Sequence, residues 1–400
     1  MRYAFISLVF LFACASTPPP AATPASEPTS EPRYDENWPC SEVPATSPVC
    51  RESVSDVDEA AARAALGDRE LAILRDGDRF TVFARTPQPE TRLCCSLQGP
   101  MTRIGETDLF VARYRLADLD RATLSFIPPA WLADGRNFPW EDIVRWRGLQ
   151  APPAPASVEE LRGERFERTL WSEHLQETRR IFFYLPPGHD RAQTYPALFM
   201  ADGAGVMTAA LLVERMIDDG LIPPIVLVGA GSGAEAIVED RSSLGIADLR
   251  GADYLPGFDG GGDRFEQHLR FFSEELVAHA MREFGVTSDP QRRAVTGFSN
   301  GGSFAVFAAL RRPDVFGVSI PLSPGWRRLT EEDFVQPARA RFFISGGLYE
   351  IARQRSAGTY AEALRAHGYE VALEIPAAGH FQDQEDLMIE RFLPLAFATR

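Results

Sequence analysis

The chain has 400 residues, of which 41 are basic and 56 are acidic, so its formal net charge is −15. Because 45% of the residues are hydrophobic, the chain can bury a sizeable core, and disorder along its whole length is excluded. The acidic balance argues against a general nucleic-acid binder, which needs a basic face. All of the basic residues are arginine, and the lack of lysine excludes P-loop phosphate chemistry and Schiff-base catalysis.

Residues 1–14 predict an export signal. Met1–Arg2 precede a short apolar run, Tyr3–Ala13, which is too short to span a bilayer. The run ends in Leu-Phe-Ala-Cys, which is similar to a bacterial lipoprotein box and makes Cys14 the expected lipid-attachment residue. Ordinary signal cleavage at Ala13-Cys14-Ala15 is the alternative. We therefore expect a periplasmic or cell-surface lipoprotein, with the outer membrane favoured, or else a soluble periplasmic protein.

Residues 15–50 are rich in Pro, Ser, Thr, Ala and Glu, a composition typical of a semi-extended tether. Residues 51–130 predict a small β-sandwich domain behind a short helix, Asp58–Leu66. Four of its segments alternate apolar and polar residues as half-buried antiparallel strands do. They are Arg79–Arg85, Thr91–Leu97, Asp108–Leu116 and Ala122–Pro128. Residues 131–160 are irregular and read as a linker.

From 161 to 400, short apolar runs alternate with helical periods such as Phe265–Phe284 and Tyr360–His367. This alternation predicts an α/β domain with a doubly wound, mostly parallel sheet whose sites lie at the C-terminal strand ends. The expected strands are Arg180–Pro186, Ala197–Gly203, Pro224–Gly231, Arg292–Gly297, Gly317–Ser323, Arg341–Gly347 and Glu370–Ile375.

Four cysteines remain if Cys14 carries lipid, and export places them in an oxidising compartment. Pairing adjacent Cys94 and Cys95 with each other would be strained, so we expect bonds from them to Cys40 and Cys50. No cysteine has metal-ligand spacing, and we expect neither a metal nor an organic cofactor.

The motif that carries chemistry is Gly297-Phe298-Ser299-Asn300-Gly301, followed by Gly302. It lies between a predicted strand and a predicted helix, which is the setting of a nucleophile elbow. A tight turn there needs neighbours without bulky side chains, and it lifts the serine hydroxyl clear of the backbone. Ser299 is therefore the candidate nucleophile.

A serine nucleophile needs a base, and the base needs a carboxylate to orient it. Among six histidines, His380 alone directly follows a predicted strand end and precedes the last helix. Glu350 also follows a strand end, and it gives the order Ser, acid, His of α/β-hydrolases. The competing acids are Asp314, Asp333 and Asp383. Two backbone amides must face the developing oxyanion, and we assign these to Asn300 and Ala204.

With these residues placed, the chain resembles the enterochelin-esterase-like branch of the α/β-hydrolase esterase family from about Leu170 to the C-terminus. The N-terminal β segments also resemble the β-sandwich that precedes the hydrolase domain in enterochelin esterases. The resemblance rests on the segments FYLPPGHD, YPALFMADG, IPPIVLVG, RGADYLPG, VTGFSNGG, ISGGLYE and AAGH, in family order.

The resemblance places Ser299, Glu350 and His380 at the positions of the triad. It also implies that Arg250 and Tyr254 border the pocket, with a structural ion pair and a packed ring as the alternative. Trp326 would form a pocket wall, and Arg327 would contact an anionic substrate. Two residues depart from the family pattern, namely Asp253 in place of glutamate and Ala378 in place of glycine.

The expected function is that of a serine carboxylester hydrolase acting through an acyl-enzyme on a small-molecule ester. By resemblance the substrate is a siderophore trilactone. The alternatives are a feruloyl or acetyl-sugar esterase, an acyltransferase, or a surface lipoprotein that binds a ligand without catalysis. A lipid anchor is the expected membrane contact, no nucleic-acid partner is expected, and the oligomeric state is left open.

Overall fold

The computed structural model describes residues 35–129, 142–233, 246–334, 337 and 339–397. The predicted signal, the lipid-attachment residue Cys14 and most of the predicted tether lie outside these residues, so both the signal and the anchor stay predictions. Within the described ranges, no helix combines the length and the apolar character that crossing a membrane requires.

The N-terminal region consists of three small antiparallel sheets. The largest has the strand order β1-β7-β3-β2, with β6 paired to the edge of β7, and the other two are the pairs β4-β5 and β8-β9. The elements are β1 (Val49–Arg51), α1 (Glu59–Leu66), β2 (Leu71–Asp76), β3 (Arg79–Arg85), β4 (Arg92–Leu93), β5 (Gly99–Pro100), β6 (Thr102–Arg103), β7 (Leu109–Leu116), β8 (Thr123–Phe126) and β9 (Val144–Arg147).

One apolar core joins these sheets. Val82 and Phe110 of the largest sheet share a buried cluster with Leu124 and Phe126 of β8. Strand β9 falls inside the segment expected to be a linker, and it pairs with β8 over its whole length. The N-terminal region therefore takes strands from both sides of its predicted boundary at residue 130.

The expected pairing of Cys94 and Cys95 with Cys40 and Cys50 is wrong. Cys40 is bonded to Cys50, and Cys94 is bonded to Cys95. The Cys40 amide donates to the Arg51 carbonyl at 3.0 Å, which brings Cys40 beside the start of the sheet. Cys94 and Cys95 lie instead along β8, where the Cys95 amide faces the Ser125 carbonyl. The backbone pairing therefore places Cys40 and Cys50 together at β1, and it places Cys94 and Cys95 together beside β8.

The C-terminal region is built on an eight-stranded sheet of order β10-β11-β13-β12-β14-β15-β16-β17. Strands β10 and β11 are antiparallel, and the strands from β13 to β17 run parallel. The predicted fold class, a mostly parallel doubly wound sheet behind an N-terminal β region, is confirmed. The strands are β10 (Glu164–Ser172), β11 (Glu177–Leu185), β12 (Ala197–Ala201), β13 (Val226–Ala230), β14 (Arg293–Phe298), β15 (Val318–Leu322), β16 (Arg341–Ser345) and β17 (Glu370–Glu374).

Helices cover both faces of this sheet, because its central strands are apolar on both sides. Phe199 of β12 points to one face and joins Phe304 and Tyr360, whereas its neighbour Leu198 points to the other and joins Val213 and Phe392. The helices are α2 (Val206–Asp218), α3 (Ile246–Tyr254), α4 (Arg264–Arg270 and Val277–Phe284, with a π-helical stretch Phe271–Leu276 between them), α5 (Asn300–Arg311), α6 (Ile351–Ala366) and α7 (Gln382–Phe397).

Candidate active site

Ser299 stands in the turn between β14 and α5. Its φ of 60° and ψ of −119° lie in a region that non-glycine residues rarely adopt, as a strained elbow requires. Its amide donates to the Leu322 carbonyl at 2.9 Å, which ties the turn to the next strand. A Cβ on Gly297 would lie 2.5 Å from the Gly301 backbone, and one on Gly302 would overlap the Leu322 carbonyl. The glycines of the motif are therefore needed for the close approach.

Glu350 is held by two uncharged donors and faces an imidazole. Its Oε1 accepts hydrogen bonds from the Gly347 amide at 2.7 Å and from the Ser323 hydroxyl at 2.6 Å. Its Oε2 accepts from Nδ1 of His380. The Gln384 amide donates to Ser323 Oγ at 2.8 Å and so fixes the serine from behind. With Nδ1 donating, Nε2 of His380 is the nitrogen left to act as a base.

His380 lies beside the elbow. Its ring centroid is 4.5 Å from that of Phe298, the residue before Ser299. The side chain of His380 keeps 14% of its surface exposed, and Ser299 keeps 8%. Within the described part of the chain, the Ser299 hydroxyl forms no hydrogen bond to His380. Such bonds commonly tighten only when substrate is bound, and the sequence-predicted serine, acid and histidine still share one rim of the sheet.

The amides of Ala204 and Asn300 both sit at helix starts near this rim. Asn300 is the first residue of α5, so its amide has no partner inside the helix. Ala204 lies in the single 3₁₀ turn Gly203–Gly205 that follows β12, where the Gly205 amide makes the turn's own bond to Asp202. The two turns are adjacent, because a Cβ on Gly301 would lie 3.0 Å from Asp202 Oδ2.

Arg250 borders the elbow but is engaged by Asp202. Its Nε and Nη2 donate to the two Asp202 oxygens at 2.7 and 2.6 Å, and its Nη2 lies 3.4 Å from the Phe298 carbonyl. Tyr254 is fully buried below Arg250, and its hydroxyl accepts from the Asp202 amide at 2.7 Å. The ring of Tyr254 therefore supports this ion pair from beneath. Asp202 was not predicted from the sequence, although the Asp-Gly pair at the end of β12 signals a turn.

Trp326 and Arg327 lie on the segment after β15. Trp326 is 39% exposed, and its indole donates to the Pro256 carbonyl at 2.9 Å. Arg327 forms a fork with Asp333, with both oxygens at 2.7 Å, so its charge is already paired inside the chain. The same fork removes Asp333 from the acids that could serve His380.

The other two competing acids are also engaged elsewhere. Asp314 pairs with Arg312 at 3.1 Å, and Asp383 accepts a hydrogen bond from the Ser125 hydroxyl. In the ranges that the structure covers, Glu350 is the acid that bonds to His380. No group of three or more His, Cys, Asp or Glu side chains in those ranges could hold a metal ion.

Two carboxyl groups that interact with residues of the site have raised pKa values. Burial raises the pKa of Glu385 to about 8, with the charges of Asp386 and Asp202 adding to the shift and Arg250 opposing it. Burial likewise raises the pKa of Glu36 to about 7, with the charge of Glu350 adding to the shift. The sequence offered no signal for these contacts, because they depend on how helix α7 and the N-terminal segment pack.

Comparison with known proteins relates part of the chain to a family. Residues 172–345 match the family described as "Esterase: Putative esterase". The "Uncharacterized protein YbbA" of Bacillus subtilis is 26% identical over 227 residues, which span 55% of this chain and 87% of that protein. An "Endo-1,4-beta-xylanase/feruloyl esterase" of Xylanibacter ruminicola is 27% identical over 214 residues, spanning 50% of this chain and 27% of that protein.

A solved structure of similar fold extends the likeness beyond the family segment. The enterochelin esterase of Shigella flexneri is 16% identical, with a TM-score of 0.59 that covers 83% of this chain and 96% of that one. At this coverage the shared fold includes strands of the N-terminal region. The resemblance expected from the sequence is confirmed: residues 172–345 match the esterase family, and the fold is similar to that of the enterochelin esterase.

Proposed function

We propose that this chain is a serine carboxylester hydrolase that works through an acyl-enzyme. The observation that carries the proposal is the hydrogen-bonded series Ser323–Glu350–His380, which ends beside the elbow of Ser299. A carboxylate fixed in this way holds the imidazole in one tautomer and stabilises the imidazolium that forms during catalysis.

In the first half of the proposed reaction, Ser299 Oγ attacks the ester carbonyl carbon while His380 Nε2 takes the hydroxyl proton. The amides of Ala204 and Asn300 stabilise the resulting oxyanion. Collapse of the tetrahedral intermediate breaks the ester C–O bond, and His380 delivers its proton to the leaving alcohol. In the second half, water adds to the acyl-enzyme by the same route and releases the carboxylic acid and Ser299.

Replacing the nucleophile tests this proposal. Ser299→Ala should lower the rate of p-nitrophenyl ester hydrolysis by about 10⁴ or more, because the acyl-enzyme can no longer form. The matched control is Ser319→Ala, which removes a buried serine hydroxyl that donates to the Ala305 carbonyl away from the site. The control should keep its reaction with a fluorophosphonate probe, and Ser299→Ala should lose it. A Ser299→Ala rate within tenfold of the parent would eliminate Ser299 as nucleophile.

Two substrate classes are distinguished by charge. The enterochelin-esterase resemblance favours a siderophore trilactone, which is anionic when it carries iron through its catecholates. The ion pairs of Arg250 with Asp202 and of Arg327 with Asp333 favour an uncharged ester instead, such as a feruloyl or acetyl-sugar ester. Comparing kcat/KM for a catechol trilactone, with and without iron, against feruloyl and acetyl-sugar esters decides between them.

A further inference from the structure

The loop that carries Glu350 is buried in the core of the N-terminal region. Its two neighbours in sequence, Tyr349 and Ile351, are 1% and 2% exposed, and both belong to the apolar cluster formed by the N-terminal sheets. The Tyr349 hydroxyl also donates to the Ala117 carbonyl at 2.6 Å, across 232 positions of the chain. The candidate acid is thus flanked on both sides by side chains that another structural region holds.

The loop that carries His380 is paired to the same region by backbone contacts. The Thr123 amide at the start of β8 donates to the Ala377 carbonyl at 2.9 Å, and Thr123 forms a parallel bridge with Ala378. The next residue, Gly379, lies so close to Ser96 that a Cβ at this position would overlap the Ser96 carbonyl oxygen. His380 follows directly.

A side-chain contact holds the start of helix α7, just beyond His380. The Ser125 hydroxyl of β8 donates to Asp383, and Arg145 of β9 lies 3.9 Å from the same carboxylate. The two loops are also bonded to each other, since the Tyr349 amide donates to the Ala378 carbonyl at 3.1 Å. The N-terminal region is therefore in direct contact with the loops that carry Glu350 and His380, and these two loops are bonded to each other.

We propose that the N-terminal β region is a positioning element of the active site, which sets the geometry of Glu350 and His380 through Tyr349 and Ser125. This inference rests on the proposed triad. The nucleophile and the two oxyanion amides lie in the turns that follow β12 and β14 of the main sheet, whereas the acid and the base lie on loops that the N-terminal region holds from outside this sheet. Removing the contacts of Tyr349 or Ser125 should misplace His380 relative to Ser299 and leave the positions of Ser299, Ala204 and Asn300 unchanged.

Tyr349→Phe is the first test, because it removes the hydrogen bond to Ala117 and keeps the ring. We expect kcat per titrated active site to fall about tenfold with KM changed less than twofold, since small misplacements of a catalytic group are costly. Tyr184→Phe is the matched control: it deletes a buried hydroxyl that bonds to Glu214 inside the main domain. In the control, kcat per titrated site should stay within twofold of the parent.

Ser125→Ala adds an independent variant, because it removes the hydrogen bond from β8 to Asp383 and leaves Tyr349 in place. We expect the double variant Tyr349→Phe/Ser125→Ala to lose more kcat than either single variant, while all of them still label fully with a fluorophosphonate. A purely structural role would lower the melting temperature and the number of titratable sites but not kcat per site, and that result would overturn the proposal. A parent protein that fails to label at Ser299 would instead overturn the proposed triad itself.

Discussion

Two of the histidine–carboxylate pairs in the described part of the chain behave in opposite ways. His380 meets Glu350 at the rim of the sheet, and His268 lies near Asp253 in the interior. Glu350 is fixed by the neutral donors Ser323 and Gly347, so its negative charge is available to an imidazolium. The residue types match, and the neighbours of each carboxylate decide what the pair can do.

Asp253 is surrounded by fixed positive charge. Its oxygens lie 2.9 Å from Arg179 Nη1 and 2.7 Å from Arg264 Nε, and Asp253 and Arg179 are both fully buried. Burial alone would raise the pKa of Asp253, but the charges of Arg179 and Arg264 outweigh it and lower the pKa to about 2. The carboxylate therefore stays ionised, and its charge is neutralised by the ion pairs with Arg179 and Arg264.

His268 next to it is kept neutral. Burial, together with Arg179 and Arg264, lowers its pKa to about 3 even though Asp253 acts in the other direction. Nδ1 of His268 stays 3.7 Å from Asp253 Oδ2. The imidazole packs among the aromatic rings of Tyr254, Phe271, Phe272 and Phe304. Such a histidine is a packing residue, and it has no route to accept a proton from a substrate.

The largest difference between the pairs should appear in catalysis. Glu350→Gln should lower kcat by about 10³–10⁴, because the amide can no longer stabilise the imidazolium of His380. Steady-state hydrolysis of a p-nitrophenyl ester measures this. Asp314→Asn, which changes a competing acid that pairs with Arg312, should leave kcat within about threefold. A fall in kcat for Asp314→Asn equal to that of Glu350→Gln would contradict the assignment.

The next effect concerns stability. Asp253→Asn removes one of the two carboxylates that pair with the buried Arg179 charge and leaves only Glu177, so it should lower the free energy of unfolding by about 3–5 kcal/mol. Urea denaturation measures the change, and the molecules that remain folded should keep their kcat per titrated site. Asp120→Asn breaks a solvent-exposed pair with Arg75 and should cost less than about 1 kcal/mol. Equal losses of unfolding free energy for the two variants would show that burial does not make the Asp253–Arg179 pair more important than the Asp120–Arg75 pair.

The smallest effect, taken over one pH unit, is a pH dependence. The usual pKa of His268 is 6.5 and folding lowers it to about 3, so between these values the unfolded chain binds more protons at this residue. Stability should therefore fall as the pH drops from about 6.5 toward 3, by at most about 1.4 kcal/mol per pH unit from this group. His268→Phe should reduce that slope in urea denaturation series at several pH values. An unchanged slope would mean that His268 is protonated in the folded protein.

The sequence predicted the parts of the site that depend on local pattern. Ser299 was selected because its motif, the strand before it and the helix after it are contiguous, and His380 was selected because it directly follows a strand end. Strand β10 was missed because Glu164–Ser172 lies at the sheet edge and is largely exposed, so it lacks a continuous apolar run. The helix Asp58–Leu66 was placed correctly because Asp58 caps it, with its side chain accepting from the Ala61 amide.

What the sequence could not predict depends on contacts between distant segments. The disulfide pairing follows from which strands meet, and nothing in the spacing of Cys40 and Cys94 reports that. The support of Glu350 by Ser323 and Gln384 joins three separate elements, and polar residues at helix starts and strand ends are too common to single out. The ion pairs of Arg250 and Arg327 were likewise hidden, because their partners are ordinary acids in turns.

The contact between the Ser96 carbonyl and Gly379 is made by backbone on one side and by a missing side chain on the other. An alanine scan of the N-terminal region would not detect this contact, because changing the side chain of Ser96 leaves its carbonyl in place. Only a substitution at 379 would reveal it, and there even alanine is too large. Chimeras that combine the N-terminal region of one relative with the C-terminal region of another should thus be chosen by how closely the two backbones fit at Ser96 and Gly379. Similarity between side chains does not report that fit.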